Sequence, residues 1–466
     1  MHRRRFLATA SSGLLGLAIR PAIAVSPGTG NFAIAQDGDT FWFSDPAGAL
    51  TVSLGINHVE PSLLLQPYNR SATLARYGPD FARFGTFDAR GEGARRWAAQ
   101  VYTDLADWNF NTLGFHTGIP RALLDPRVAF CPVLNAGGVS PEARPGELVD
   151  VYASDVAATI DRETQAACAT LRTAPNLLGY YFTDRPRFGV RPGGPQNRVH
   201  PWVNALCALP STAPGKAAWL TVLKGRHSSA GDAAATHGIL EDVATWDGLA
   251  RIRAWPLDAD SPSAALDREL FLAQTVDRWY ALRADAIRRY DPDHLILGDK
   301  LGGGTAAPGY REPRHPNLPD WLMPILARHV DVVSVEWYGE FEDQVAALRA
   351  IHLATGKPIL LGDSSFSQVQ PQQLGDAKGV HEPSQAAVGA AYARYLRAAL
   401  GEGYIVGWHF CGYMESWWGG GRGKPQNGLK DPFDVPHADA VDAIRVANAA
   451  ACDWHARPTP TQAASP

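Results

Sequence analysis

Three acidic residues stand at the ends of short apolar runs, where a carboxylate could act on a bound molecule. Asp184 closes Leu177-Leu178-Gly179-Tyr180-Tyr181-Phe182-Thr183, Glu336 closes Val332-Val333-Ser334-Val335, and Asp363 closes Ile359-Leu360-Leu361-Gly362. Carboxylates gathered at one site can serve as general acid, general base or nucleophile. Short apolar runs ending in polar residues at a turn are how a (β/α)8 barrel presents its reactive groups, at the carboxyl ends of its strands. Asn57, His58 and His116 add hydrogen-bonding groups at equivalent places, against the simpler reading of structural histidines.

The elements that must position these residues recur along the chain. Strand-like runs begin near Val52, Thr112, Ala129, Leu178, Leu295, Val333, Ile359 and Ile405, with helical periodicity between most of them, for example Gly93 to Trp108, Val149 to Leu171 and Asp267 to Tyr290. Eight such units make an α/β fold, a (β/α)8 barrel, the economical reading. Ahead of it, Phe32 to Gly55 alternates in the β manner around Asp37-Gly38-Asp39 and Asp45-Pro46-Ala47-Gly48, a small hairpin extension. Residues 188–214, rich in Pro, Gly and Asn, read as a long loop over the barrel mouth. The resulting organisation is a signal over 1–24, a β extension over 25–50, the barrel over 51–450 and a disordered tail over 451–466.

Composition narrows the partners. A formal charge of -4 offers no electrostatic footing for nucleic acid or an anionic membrane. The 14 Trp, 14 Tyr and 17 Phe supply flat rings suited either to core filling or to stacking on sugars. Five cysteines without a C-x-x-C pair, and no H-x-H strand, leave no tight metal-ligand spacing, so no metal and no cofactor is expected. Gly302-Gly303-Gly304 and Gly419-Gly420-Gly421 lack the ending of a phosphate-binding loop. The start, Arg3-Arg4-Arg5-Phe6-Leu7, then an apolar stretch and Ala22-Ile23-Ala24, reads as a twin-arginine-type export signal with the mature chain from Val25 in the periplasm or outside the cell. Beyond it no run is long enough to span a bilayer.

Four stretches carry a family resemblance: Gly55-Ile56-Asn57-His58-Val59, Trp108-Asn109-Phe110-Asn111-Thr112-Leu113-Gly114, Tyr290-Asp291-Pro292-Asp293-His294-Leu295-Ile296-Leu297-Gly298 and Val406-Gly407-Trp408-His409-Phe410. Over residues 31–448 the chain resembles the agarase-like glycoside hydrolases, within the retaining (β/α)8 glycosidases. The resemblance implies hydrolysis of a poly- or oligosaccharide by paired carboxylates. In that family the fourth strand ends Asp-Asn-Glu, with Glu as acid/base, and the seventh ends Gly-Glu, with Glu as nucleophile. Here they read Asp184-Arg185-Pro186 and Gly362-Asp363, so Pro186 stands where the acid would be. The nucleophile falls to Asp363, one methylene shorter, which widens the gap and makes an inverting displacement with Asp363 as base an alternative.

For the acid, Glu336 ranks ahead of Asp184. A carboxyl buried among aromatics stays protonated, whereas one beside Arg185 ionises; the bland alternatives are that Asp184 caps a turn and Glu336 pairs with a cation. The resemblance also points Tyr338 into the site and sets Trp408 as a sugar platform, while Glu415 would orient a sugar hydroxyl or lie solvated in a loop. Two other classes stay open: a non-catalytic carbohydrate-binding barrel, and a metal-dependent hydrolase using His58, His116, Asp184 and Asp363.

Overall fold

The computed structural model describes residues 28–86, 91–137, 149–186, 188, 199–256, 261–302, 318–373, 380–417 and 427–458. The expected signal and the last residues of the expected tail lie outside these.

The chain opens with a three-stranded antiparallel sheet, β1 (Ala33–Asp37), β2 (Thr40–Ser44) and β3 (Leu50–Thr51). Gly38, at φ 59°, makes the first turn, and Asp45 closes the second by accepting from the N–H groups of Ala47 and Ala49. Phe43 of β2 is fully buried with Ala129, Leu178 and Leu295, so this sheet plugs the amino end of the barrel.

The barrel follows: β4 (Ser53–Ile56), β5 (Thr112–Leu113), β6 (Ala129–Phe130), β7 (Gly179–Asp184), β8 (Leu295–Gly302), β9 (Val333–Glu336) and β10 (Ile359–Ser364). After a small parallel pair, β11 (Phe366–Ser367) and β12 (Val380–His381), the last barrel strand is β13 (Ile405–Phe410). The eight strands pair in parallel in the order β6-β5-β4-β13-β10-β9-β8-β7. Bridges Phe130–Leu177 and Val133–Tyr181 join β6 to β7 and close the ring. The expected (β/α)8 barrel with its N-terminal β extension is the observed fold.

Three departures have local causes. Among the described residues no α-helix separates β5 from β6; a 3-10 turn, Arg121–Leu123, stands there in a stretch interrupted by Pro120 and Pro126. The expected loop over 188–214 is partly helical. Its Pro201–Cys207 is a helix begun by a proline and capped by the His200 side chain, and Pro214 begins the next, Pro214–Arg226. Finally, the helix Ala438–His455 carries regular structure past residue 451. There the buried His455 ring reaches Leu400 O at 3.0 Å and Phe41 O at 2.7 Å, tying the C-terminal helix to the N-terminal sheet. None of the five cysteines forms a disulfide. No described helix is long and apolar enough to cross a membrane.

Candidate active site

Glycine bulges decide which side chains enter this site. On β8, Leu295 and Leu297 face the barrel interior while Ile296 faces the helices, so strict alternation would turn Asp299 inward. Gly298 breaks the period. It sits at φ 66°, and a Cβ there would lie 2.6 Å from Val330 Cγ1, so glycine alone fits. Beyond it Asp299 turns away to accept from Thr183 Oγ1 at 2.6 Å, and Lys300 points inward.

Lys300 is the centre of the site, and the apolar run that marks the strand in the sequence ends at Gly298 and gives no sign of it. Its buried ammonium lies 2.6 Å from Asp363 Oδ2, 3.0 Å from Glu336 Oε2 and 3.1 Å from Asp184 Oδ1. The three sequence candidates, from strands β10, β9 and β7, therefore converge on one cation. Burial alone would depress the Lys300 amine, but Asp363, Glu336 and Asp184 together raise it well above the ordinary lysine value, so it stays charged. Its Nζ also lies 4.5 Å from the Phe115 ring centre.

Asp363 is the best-fixed carboxylate. Asn57, at the end of β4, donates from Nδ2 to Asp363 Oδ1 and to Gly362 O, both at 2.9 Å, while its Oδ1 accepts from the Phe115 N–H at 2.8 Å. Every polar atom of the Asn57 side chain thus goes to positioning. The substrate-binding role expected for Asn57 is corrected to orientation of Asp363.

Glu336 sits between two cations. Lys300 flanks it on one side and Arg185 Nε on the other, at 3.2 Å from Oε1. Arg185, at φ 48°, swings back toward Glu336 and does not pair with Asp184. The alternative expected for Glu336, pairing with a cation, is what the structure shows. Neither Glu336 oxygen, nor Asp184 Oδ1, accepts a well-aligned hydrogen bond among the described residues, which leaves acceptor capacity in the site.

Asp184 is the carboxylate nearest solvent, its side chain 35% exposed. Burial pushes its pKa up, but Lys300 and a hydrogen bond from His116 outweigh that and hold the group well below the usual carboxylate range. His116 Nε2 lies 3.1 Å from Asp184 Oδ2, and burial, only partly offset by Asp184, lowers the imidazole below its ordinary value. At neutral pH the pair is a neutral imidazole against a carboxylate. His58 stacks on His116, with ring centres 4.5 Å apart and planes at 21°, and Nδ1 contacts Glu60 Oε1 at 2.8 Å. Tyr338 is also in the site: burial and the neighbouring charges of Asp363, Cys411 and Glu336 push its phenol far up, so it is neutral.

Two expected residues lie elsewhere. Trp408 is fully buried on the outer side of β13, its ring centre 4.5 Å from those of Tyr392 and Tyr395 in the surrounding helix, and Nε1 donates to Ser364 Oγ at 2.8 Å. The platform role for Trp408 is corrected to core packing. Gly407 is the cause: at φ 158° it shifts the phase of β13, so that Val406 and His409 face inward and Trp408 outward. His409 Nε2 meets Ser53 Oγ at 2.9 Å, and burial lowers its pKa to about 3. Glu415 is neither solvated nor in the carboxylate cluster. It is buried, accepting from Trp417 Nε1 at 2.6 Å and touching His437 Nε2 at 3.0 Å.

Ligating atoms of His58, Glu60 and His116 come within 4.8 Å of one another, as do those of His58, Asp363 and Cys411.

Taken together, the closed parallel ring of strands, with carboxylates from three of them at its carboxyl end, defines the architecture of a (β/α)8 barrel. Among solved structures the chain is similar to PfGH50B, with a TM-score of 0.72 at 16% identity over 94% of this chain and 68% of that one. It is similar also to the agarase AgWH50C, with a TM-score of 0.71 at 17% identity over 92% of this chain and 66% of that one. An exo-beta-agarase gives 0.70 at 16% over the same shares. The chain thus spans about two thirds of the length of these proteins and shares their fold. No protein-family model and no curated protein matches it.

Proposed function

We propose that this chain is a glycoside hydrolase acting on a poly- or oligosaccharide, with agarose-type galactan the first substrate to try. The observation that carries the reading is Asp363, set between Asn57 and Lys300 at the end of β10, with Asp184 on the same ammonium. Two oxygens held at 2.6 and 3.1 Å from one nitrogen can be no more than about 6 Å apart. That close approach suits the roughly 5–5.5 Å spacing of a retaining site better than the roughly 6.5–9.5 Å of an inverting one and supports direct attack by Asp363.

In this mechanism Asp363 attacks the anomeric carbon as the glycosidic oxygen leaves. The leaving oxygen takes its proton from the Asp184–His116 pair, and the same pair later removes a proton from the water that hydrolyses the glycosyl ester. Glu336, with open acceptor positions, binds sugar hydroxyls. Since Asp184 and His116 both titrate low, the proton-loaded pair forms on the acid side of neutrality.

A second reading rests on the same lysine. An ammonium neutralising the carboxylates from the middle of the cluster suits a barrel that binds saccharide without cleaving it. Hydrolysis of a panel of polysaccharides and aryl glycosides by the wild-type protein, Asp363→Asn, Asp184→Asn and Glu336→Gln separates the two. Turnover abolished in Asp363→Asn and Asp184→Asn supports the hydrolase; saccharide binding in calorimetry without turnover in any protein supports the binding barrel.

The twin-arginine-type start further supports export to the periplasm or beyond. Amino-terminal sequencing of the protein recovered outside the cytoplasm tests it, and an intact Met1 there would refute cleavage near Val25.

A further inference from the structure

With Trp408 in the core, the rim over β13 and β4 supplies other rings. Trp417 follows β13; Tyr68 lies in the connection after β4, on the same carboxyl-end face. The Trp417 indole stacks on Tyr68, with centres 5.5 Å apart and planes at 23°, and meets Phe433 edge-on at 5.5 Å. Tyr68 and Trp417 are half-buried and Phe433 is 38% exposed, so the group borders solvent.

Its orientation is held by polar contacts. Indole Nε1 donates to the buried Glu415 at 2.6 Å, the second oxygen of Glu415 meets His437 Nε2 at 3.0 Å, and the Trp417 N–H donates to the Tyr68 hydroxyl at 3.2 Å. These contacts hold the indole plane in one orientation at the rim. The group is also within reach of the chemistry. A Cβ on Gly412 would lie 3.0 Å from His58 Cβ, and the five residues from Gly412 to Trp417 span at most about 18 Å.

We propose that Tyr68, Trp417 and Phe433 form a saccharide-binding subsite at the rim, taking the apolar face of a sugar ring several units from the bond cleaved, with Glu415 and His437 as positioning residues for Trp417. The inference rests on the saccharide reading above and deepens it. In this proposal an oligosaccharide runs from the carboxylates to the subsite, within the span of about 18 Å that the Gly412–Trp417 segment allows.

The test uses the full protein with agarose-derived oligosaccharides of two, four and six sugars, measuring binding by calorimetry and hydrolysis where it occurs. Trp417→Ala is expected to weaken binding of the hexamer about tenfold, in line with the loss of one stacked ring, and to leave the dimer unchanged. In hydrolysis the change falls on KM, with kcat and aryl-glycoside turnover unaltered. Glu415→Ala follows Trp417→Ala at smaller size, and Trp417→Phe recovers most of the affinity, which separates a lost platform from a damaged fold. Equal binding of all lengths by wild type and Trp417→Ala would overturn the subsite while leaving the saccharide reading intact. Binding of no oligosaccharide by wild type would overturn both.

Discussion

Lys300→Met removes the charge at the centre of the site while keeping most of the stem's volume. It leaves Asp363, Glu336 and Asp184 facing one another with Arg185 as the close cation among the described residues. Breaking a buried ion network by deleting one partner costs about 3–5 kcal/mol, because the orphaned charges stay buried. Asp184 is partly screened by solvent, so most of that cost falls on Asp363 and Glu336. For a chain of 466 residues the unfolding entropy is about 1 kcal/mol per kelvin, so Tm should fall by about 3–5 °C at pH 7. The deficit must depend on pH. The folded-state pKa of Asp184 lies below its unfolded value of 3.8, so the stability it contributes is present above that value and is lost as pH falls further. In the variant the crowded carboxylates take up protons at higher pH, which relieves the repulsion, so the gap from wild type should shrink toward pH 4. Calorimetric melting of both proteins from pH 4 to 8 measures this. A deficit of the same size throughout would show that Lys300 contributes through the packing of its stem and would refute the electrostatic account.

Three further outcomes follow from the same geometry. Because burial lowers His116 below its ordinary value of 6.5, its protonated form grows only below that pH, so kcat/KM should rise as pH falls from 7 toward 5. His116→Gln should flatten that limb, and a rise toward alkaline pH would contradict the assignment. Asn57→Ala deletes two donors and one acceptor around Asp363 and should cut kcat about 10²-fold or more with little change in KM, read by steady-state kinetics. Gly407→Ala would place a methyl 2.2 Å from Ser53 O on a backbone at φ 158°; loss of roughly 3 kcal/mol or more, seen as a Tm drop or as insoluble expression, is expected.

The repeating order of elements and the identity of the acids were legible in the residues alone. Strand-length apolar runs alternating with helical periodicity are local properties, and all eight barrel strands appear where those runs lie. Asp184, Glu336 and Asp363 were legible because each ends such a run, and ends of strands share one face of a barrel. Facing was decided only in three dimensions. Counting by twos along β13 sends Trp408 inward, and along β8 it sends Asp299 inward. Gly407 and Gly298, in left-handed backbone pressed against Ser53 and Val330, shift the phase and deliver His409 and Lys300 instead. A glycine in a strand announces that alternation can break, but the neighbour that crowds it comes from a distant segment. Ion pairing was hidden for the same reason: Arg185 is next to Asp184 in sequence and pairs with Glu336, whereas the cation that holds Asp184 ionised lies 116 residues later and arrives through the pairing of β7 with β8.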